Sequence, residues 1–504
     1  MNRRWYLLLA IPAVLGIVVS AGELREIHAP GSIHSPAELD AYLDSTVPGL
    51  LARYRIPGVC MGIIGGDSHG ISCYGTSSSE AGRALDGSSR FAIASVSKTF
   101  TALAVLTLAA RGQVDLDAPV ERYLGTWRFP ESGYDASAVT ARRLLSHTAG
   151  TGVQTYGGMI YAVPAESTRD VLDGRGSIQV PVTLTMPPGS GFRYSGGGYT
   201  VAQLLIEEVS GMPFEGFMKE SVFLPLGMLD SSFSWGSMRD ADTRGHDTAG
   251  RKLPMYPYGA AMAAGGMVTT GNDMIEFLDA FCDQRIGSLL GWPNGMWERY
   301  LEPVMGFSGM GTMVSKSNGH TLIGHGGTTM GYNAGYTVLP EERFGWFVLA
   351  NGNGGVFLES DLDPIIQEWK TGYRDPRYRV LKLERCVVAF LAVVIPGFSV
   401  LFFASFLAKL VSGRRWVGAA AVCRVKIIPR LAPVPVLAAA LALWFVFFHT
   451  NRFYPAFFTA WLPAPFCWVT LGIGLLVLRM ILSCAFPRST AGRRALMRPV
   501  GKLR

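Results

Sequence analysis

The stretch FAIASVSKTF (residues 91–100) places Ser95 three positions before Lys98, just where the apolar run TALAVLTLAA (101–110) begins. A run of that length reads as a helix, closed by Gly112. Residues i and i+3 share a helix face, so Ser95 and Lys98 are expected side by side at its first turn. A serine hydroxyl becomes a nucleophile when a neighbouring base takes its proton, and a buried lysine amine can be that base. The start of a helix adds backbone N–H groups and the positive end of the dipole, suited to a developing oxyanion. Alone the spacing is cheap. It occurs once here, in a chain with nine lysines.

Outward from this stretch, residues 35–369 have a soluble pattern. SPAELDAYLDSTVPGLLARY (35–54) reads as an amphipathic helix started by Ser35 and Pro36. VCMGIIGGDSHGISCYG (59–75) reads as two strands around a Gly/Asp turn. TVAQLLIEEVSG (200–211) is helical and closed by Gly211, while TLIGHGG (321–327), YTVLPEE (336–342) and GWFVLANGNGG (345–355) are strand-like. Early strands, a helical middle and late strands make an α+β class, with early and late strands sharing one antiparallel sheet. The seven cysteines show no CxxC or Cys/His metal spacing, so no metal is expected. Cys60 and Cys73 flank the first hairpin turn. Two unpaired core thiols are the favoured reading, a disulfide the other.

Composition adds a membrane. Charged residues are 16% and apolar ones 49% of the 504-residue chain, and mean hydropathy is +0.25. Residues 1–22 (MNRRWYLLLAIPAVLGIVVSAG) have the layout of a signal peptide or an N-terminal membrane anchor. Residues 387–411, 431–449 and 456–478 are apolar and near the ~20 residues that span a bilayer, which predicts three transmembrane helices within 387–484. Basic residues of the net +7 charge gather after residue 370. That pattern belongs to membrane topology and argues against nucleic acid. The loop 412–430 has five Arg/Lys and no acid, and the tail 485–504 has six and no acid. The positive-inside rule then puts the tail in the cytoplasm and residues 35–369 on the extracytoplasmic side of a multi-pass cell-membrane protein.

Two further segments join SVSK in order. In FRYSGGGYTVAQLLIEEVSG (192–211), Tyr194 precedes a glycine-rich bend into a helix, and a phenol near an ammonium can shuttle a proton. In GHGGTTMGYNAGY (324–336), two glycines after His325 predict a strand closely approached by backbone or substrate. With SVSK (95–98), Tyr-x-x (194–196) and HGG (325–327), residues 36–360 resemble the beta-lactamase-related serine hydrolase family: class C β-lactamases, DD-peptidases, and the esterases and D-aminopeptidases of that fold. IPGVCMGII (56–64), LLSHTAG (144–150), AAGGMVTT (263–270) and VLANGNGG (348–355) match habits of the same family.

The resemblance implies an antiparallel sheet packed with helices plus a mainly helical subdomain, and an enzyme without cofactor. It implies that Ser95 attacks an acyl carbonyl while Lys98 and Tyr194 share its proton. The N–H groups of Ser95 and Thr328 would form the oxyanion hole, and His325, Gly326 and Gly327 would line the substrate edge, with Gln154 a further substrate contact. Two positions depart from the pattern: Gly196 stands where an Asn is usual, and His325 where a Lys is usual. Both lower the expectation of β-lactam turnover. The leading expectation is a membrane-anchored hydrolase of an ester, a peptide or a cell-wall-related amide. The alternatives are a penicillin-recognising DD-peptidase or weak β-lactamase, and a non-catalytic sensor or binding protein. His147 reads as a histidine bonded to local backbone, and Asp115 and Asp117 as turn residues or helix caps. Tyr199 and Tyr332 are read equally as pocket lining or packing.

Overall fold

A computed structural model describes residues 10–18, 33, 35–65, 68–80, 82–153, 167–175, 180–234, 242–254, 260–374 and 377–411. Beyond 411 it describes only 474–475 and 478–479. Gln154, the junction at 19–22 and the tail 485–504 lie outside the described residues. The chain divides into two compact units, one built on His28–Asp375 and the other on the N-terminal residues and the chain from Pro376.

In the first unit helix α1 (Pro36–Tyr54) begins where the sequence asks for it. Ser35 Oγ accepts the Glu38 N–H (3.3 Å) and Glu38 accepts the Ser35 N–H (3.2 Å), a capping box. Leu39, Leu43, Val47, Leu50 and Tyr54 recur at helical spacing and are buried. The strands are β1 (Gly58–Gly65), β2 (Ser68–Gly75), β3 (Arg90–Ala92), β4 (Val268–Thr270), β5 (Met313–Ser317), β6 (His320–Thr329), β7 (Tyr332–Leu339) and β8 (Phe344–Ala350). Six of them form one sheet in the order β2-β1-β8-β7-β6-β5, with each neighbouring pair antiparallel. The first strands therefore do lie beside the last, and β3 and β4 make a separate small ladder.

Every residue of helix α2 (Ser97–Ala110) from Ser97 to Leu108 is buried, its few polar side chains included. A helix buried all round belongs inside a core, and α2 packs against helix α3 (Gly196–Ser210) in the helical part of this unit. Helix α4 (Gly271–Cys282) packs against β1, β8 and β7, and helix α5 (Gly355–Thr371) packs against β7, β8 and α1. The result is an α+β fold in which the turn into α2 meets β6 and β7.

The hairpin corrects the favoured reading of the cysteines. In the β1–β2 register Cys60 stands directly opposite Cys73, the Cα atoms are 4.1 Å apart, and the two are joined as a disulfide. Residues on facing strands are brought within bonding reach by the ladder itself, which composition could not reveal.

In the second unit helix α6 (Arg377–Val411) contains a 20-residue apolar stretch, Ala389–Ala408, long and apolar enough to cross a membrane. It is the one such helix among the described residues. The expected spans 431–449 and 456–478 lie outside them, except residues 474, 475 and 478, which are helical. Residues 10–18 are also helical. A Cβ built on Gly16 would come 2.7 Å from Val394 Cγ2, and one on Gly397 would come 2.7 Å from Pro12 Cβ. The two helices approach each other through glycines.

Candidate active site

The turn ahead of α2 is where the site begins. Ala94 has φ 48°, a left-handed conformation that a residue with a Cβ rarely adopts. This turns the chain from β3 into the short 3-10 segment Ala94–Val96 and leaves Ser95 partly exposed. The α-helix proper starts two residues later than expected, at Ser97, whose hydroxyl donates to the Ala94 carbonyl and accepts the Met267 N–H (3.0 Å). Lys98 is 2% exposed. Its Nζ donates to Ser95 Oγ (3.1 Å) and to the Ala264 carbonyl, so the ammonium is held beside the nucleophile from two sides.

Tyr194 arrives from the segment before α3. Its ring centroid lies 5.0 Å from Lys98 Nζ. The segment is pinned at three points: Arg193 N–H donates to the His147 carbonyl (2.7 Å), Ser195 N–H donates to His147 Nδ1 (3.1 Å), and Ser195 Oγ donates to the Gly152 carbonyl (2.6 Å). The same Ser195 hydroxyl caps α3 by accepting the Gly198 N–H at 3.0 Å. Gly196 is the first residue of α3 and brings no side chain to the site.

Strand β6 forms the third wall. β5 pairs with residues 320–324 of β6, and residues 325–328 have no strand neighbour on that side among the described residues. A Cβ on Gly327 would lie 2.2 Å from the Ile93 carbonyl and 2.9 Å from Ser95 N, so only glycine lets β6 pass this close under the nucleophile turn. Gly326 is exposed with open space around it. Thr328 is fixed from behind: its Oγ1 donates to Asn333 Oδ1 (2.8 Å), and Asn333 Nδ2 donates to Glu359 Oε2 on α5 (2.7 Å).

Two buried histidines flank Tyr194, their ring centroids 4.2 Å (His147) and 6.4 Å (His325) from its own. Their tautomers are opposite. His325 Nδ1 donates to the Gly326 carbonyl (2.6 Å), so its Nε2 is a bare acceptor. His147 Nδ1 accepts the Ser195 N–H, so its Nε2 carries the proton. Neither Nε2 has a hydrogen-bond partner among the described residues. Burial, and next the Lys98 charge, push His325 down to about 4 and His147 well below the usual histidine range. Both rings are neutral at pH 7, and the position where a lysine is usual carries no charge.

The structure thus brings together Ser95, Lys98, Tyr194, His325, Gly326, Gly327 and Thr328. Sequence reasoning missed His147 as part of the site: its bond reaches Ser195, 48 residues away, and its ring packs, tilted, against Tyr194. It also missed the Ala264 carbonyl and the Asn333–Glu359 support, because nothing local marks either. Tyr199 and Tyr332 are packed residues whose hydroxyls donate to the carbonyls of Leu145 (2.6 Å) and Thr243 (2.8 Å). Tyr199 also lies near the site, its ring centroid 5.5 Å from Lys98 Nζ. Asp115 accepts the Asp117 N–H in a turn (2.9 Å), and Asp117 pairs with Arg142 (2.8 Å), so the two are no catalytic carboxylate pair.

A family model described as Beta-lactamase matches residues 43–368. The chain belongs to the Beta-lactamase family. The esterase EstB of Burkholderia gladioli is 30% identical over 283 residues, 48% of this chain and 70% of that one. A penicillin-binding protein of Bacillus subtilis (strain 168) is 30% identical over 194 residues, and the match spans 37% of this chain and 40% of that protein. Among solved structures, the octameric penicillin-binding protein homologue from Pyrococcus abyssi is similar with TM-score 0.54 and 25% identity, covering 65% of this chain and 80% of that one. The D-amino acid amidase from Ochrobactrum anthropi SV3 shares the fold with TM-score 0.56 at 23% identity, covering 66% and 99%. With family membership stands the expectation of a serine hydrolase.

Proposed function

We propose that the protein is a membrane-anchored serine hydrolase working through an acyl-enzyme on esters or neutral amides outside the cytoplasm. The observation that carries this reading is the buried Lys98 Nζ 3.1 Å from the Oγ of a partly exposed Ser95, in a strained turn beside a glycine strand edge. The Lys98–Tyr194 pair reacts with one of its two sites unprotonated, and that site takes the Ser95 proton as Oγ attacks the acyl carbonyl. The carbonyl oxygen gathers charge between the N–H groups of Ser95 and Thr328. Tyr194 then hands a proton to the departing alcohol or amine, and the same pair later activates water to free Ser95. Gln154 would contact the substrate.

A neutral His325 and a bare Gly196 suit a substrate without a carboxylate, which favours esters over β-lactams. The penicillin-binding relative keeps a penicillin-recognising DD-peptidase as the second reading. The membrane part of the proposal has a signal or anchor at 1–22, three spans within 387–484 and a cytoplasmic tail at 485–504. The apolar stretch of α6 supports it, and so does the Cys60–Cys73 disulfide, a bond that persists in oxidising compartments.

Labelling decides the matter. Membranes with wild-type protein or Ser95→Ala are treated with a fluorophosphonate and, separately, a fluorescent penicillin. The fluorophosphonate should mark wild type alone. Equal marking of Ser95→Ala would remove Ser95 as nucleophile, and strong penicillin labelling of wild type would promote the second reading.

A further inference from the structure

Two phenylalanines stand exposed at the mouth of this site. Phe192 is 37% exposed and Phe307 51%, and their ring centroids are 4.8 Å apart. Their backbones are fixed although their rings are bare. Phe307 O accepts the Val314 N–H (2.7 Å), and the next residue, Ser308, is buried with its hydroxyl donating to the Ser146 carbonyl (2.6 Å). Phe192 precedes Arg193, whose N–H is held by the His147 carbonyl. The Phe192 ring meets His147 edge-on at 5.9 Å, and His147 packs against Tyr194 at 4.2 Å. An unbroken aromatic ladder therefore runs from solvent to the proton donor: Phe307, Phe192, His147, Tyr194.

Large apolar rings on a rigid backbone lose solvation free energy in the free protein, and a ligand that covers them recovers it. Which part of a substrate covers them follows from the chemistry. On the serine hydrolase reading, on which this inference rests, Tyr194 delivers its proton to the leaving atom. The group attached to that atom must therefore extend past Tyr194, and Phe192 lies two residues before it.

We propose that Phe192 and Phe307 form a subsite for the leaving group, selecting esters or amides whose alcohol or amine carries a phenyl or similarly flat apolar group. The acyl portion is attached to the carbonyl carbon by its other bond and is not the part this pair covers.

The test uses full-length protein in detergent and three butyrate-type esters. n-Propyl butyrate and 3-phenylpropyl butyrate have leaving alcohols of matched acidity and differ in the phenyl group, while n-propyl 4-phenylbutyrate moves that phenyl to the acyl side. Wild type should favour 3-phenylpropyl over n-propyl butyrate by about tenfold in kcat/KM, the effect of covering most of one ring. Phe307→Ala should bring that ratio near one, and Phe307→Leu should leave an intermediate ratio if the alanine variant misfolds. Neither should change the ratio for the acyl-side phenyl ester. No alcohol-side preference in wild type, or a preference that Phe307→Ala and Phe307→Leu both keep, overturns the subsite while leaving the hydrolase reading intact. A loss confined to the acyl-side ester also overturns it. Failure of wild type to hydrolyse any of the three overturns the hydrolase reading and the subsite with it.

Discussion

Replacing His147 by phenylalanine isolates what this ring does for Tyr194. Phenylalanine keeps a flat ring against Tyr194 but has no acceptor for the Ser195 N–H, now held at 3.1 Å. Ser195 is 1% exposed, so water cannot replace the lost partner. Two outcomes compete. If the segment stays in place, a buried N–H goes unpaired at about 1–3 kcal/mol, which for a domain of this size lowers the melting temperature by roughly 1–4 °C. If the segment shifts to find an acceptor, Tyr194 moves with it, and a displacement of about 1 Å costs about 10²-fold in rate. The second Ser195 anchor, its hydroxyl between Gly152 O and Gly198 N, limits the shift. A mixture is expected: a melting temperature about 2 °C lower and kcat down at least about tenfold, with KM within about twofold, because Tyr194 acts on the proton and not on binding. Steady-state hydrolysis of a short acyl ester, with thermal melts of the same preparations, reads both quantities. Wild-type kcat together with a wild-type melting temperature would refute the positioning role.

Three further outcomes are expected. Restoring the usual residues with Gly196→Asn and His325→Lys should raise the ratio of chromogenic cephalosporin to ester turnover on the order of 10²-fold, since one charged and one neutral hydrogen bond are regained; an unmoved ratio would mean the two departures do not set substrate class. Glu359 and Asp363 on α5 both have raised carboxyl pKa values, through burial first and, for Glu359, the Asp363 charge next, so the folded protein holds protons that the unfolded chain has released. Their contribution is then complete below the ordinary carboxylate range and is lost as pH rises through neutrality, so Glu359→Gln, which keeps an acceptor for Asn333, should melt higher than wild type at pH 8.5 and not at pH 5; equal melting curves at both would remove the linkage. The Cys60–Cys73 disulfide closes a short loop already held by a strand ladder, so Cys60→Ala with Cys73→Ala should cost about 2 kcal/mol, and a melting temperature insensitive to both substitution and reductant would contradict the pairing.

What the sequence determined by itself was whatever short-range physics writes locally. Ser35 and Glu38 mark a helix start because a capping box closes within one turn, and Gly211 marks a helix end because the left-handed cap favours glycine. Ser95 and Lys98 could be paired from spacing because three residues along a helix return to one face. The family motifs placed Tyr194 and His325 with them. The tertiary structure decided whatever depends on partners far apart in the chain. The sheet sets Cys60 opposite Cys73, β6 passes under Ser95 close enough to demand Gly327, and α3 borrows its entry geometry from His147. The neutral state of His325 was decided there too: an exposed histidine is charged by mild acid, and only burial beside the Lys98 ammonium keeps this one uncharged down to about pH 4. Local spacing names the groups that can react. Their protonation states and their distances come from the low-dielectric interior that the whole chain builds around them.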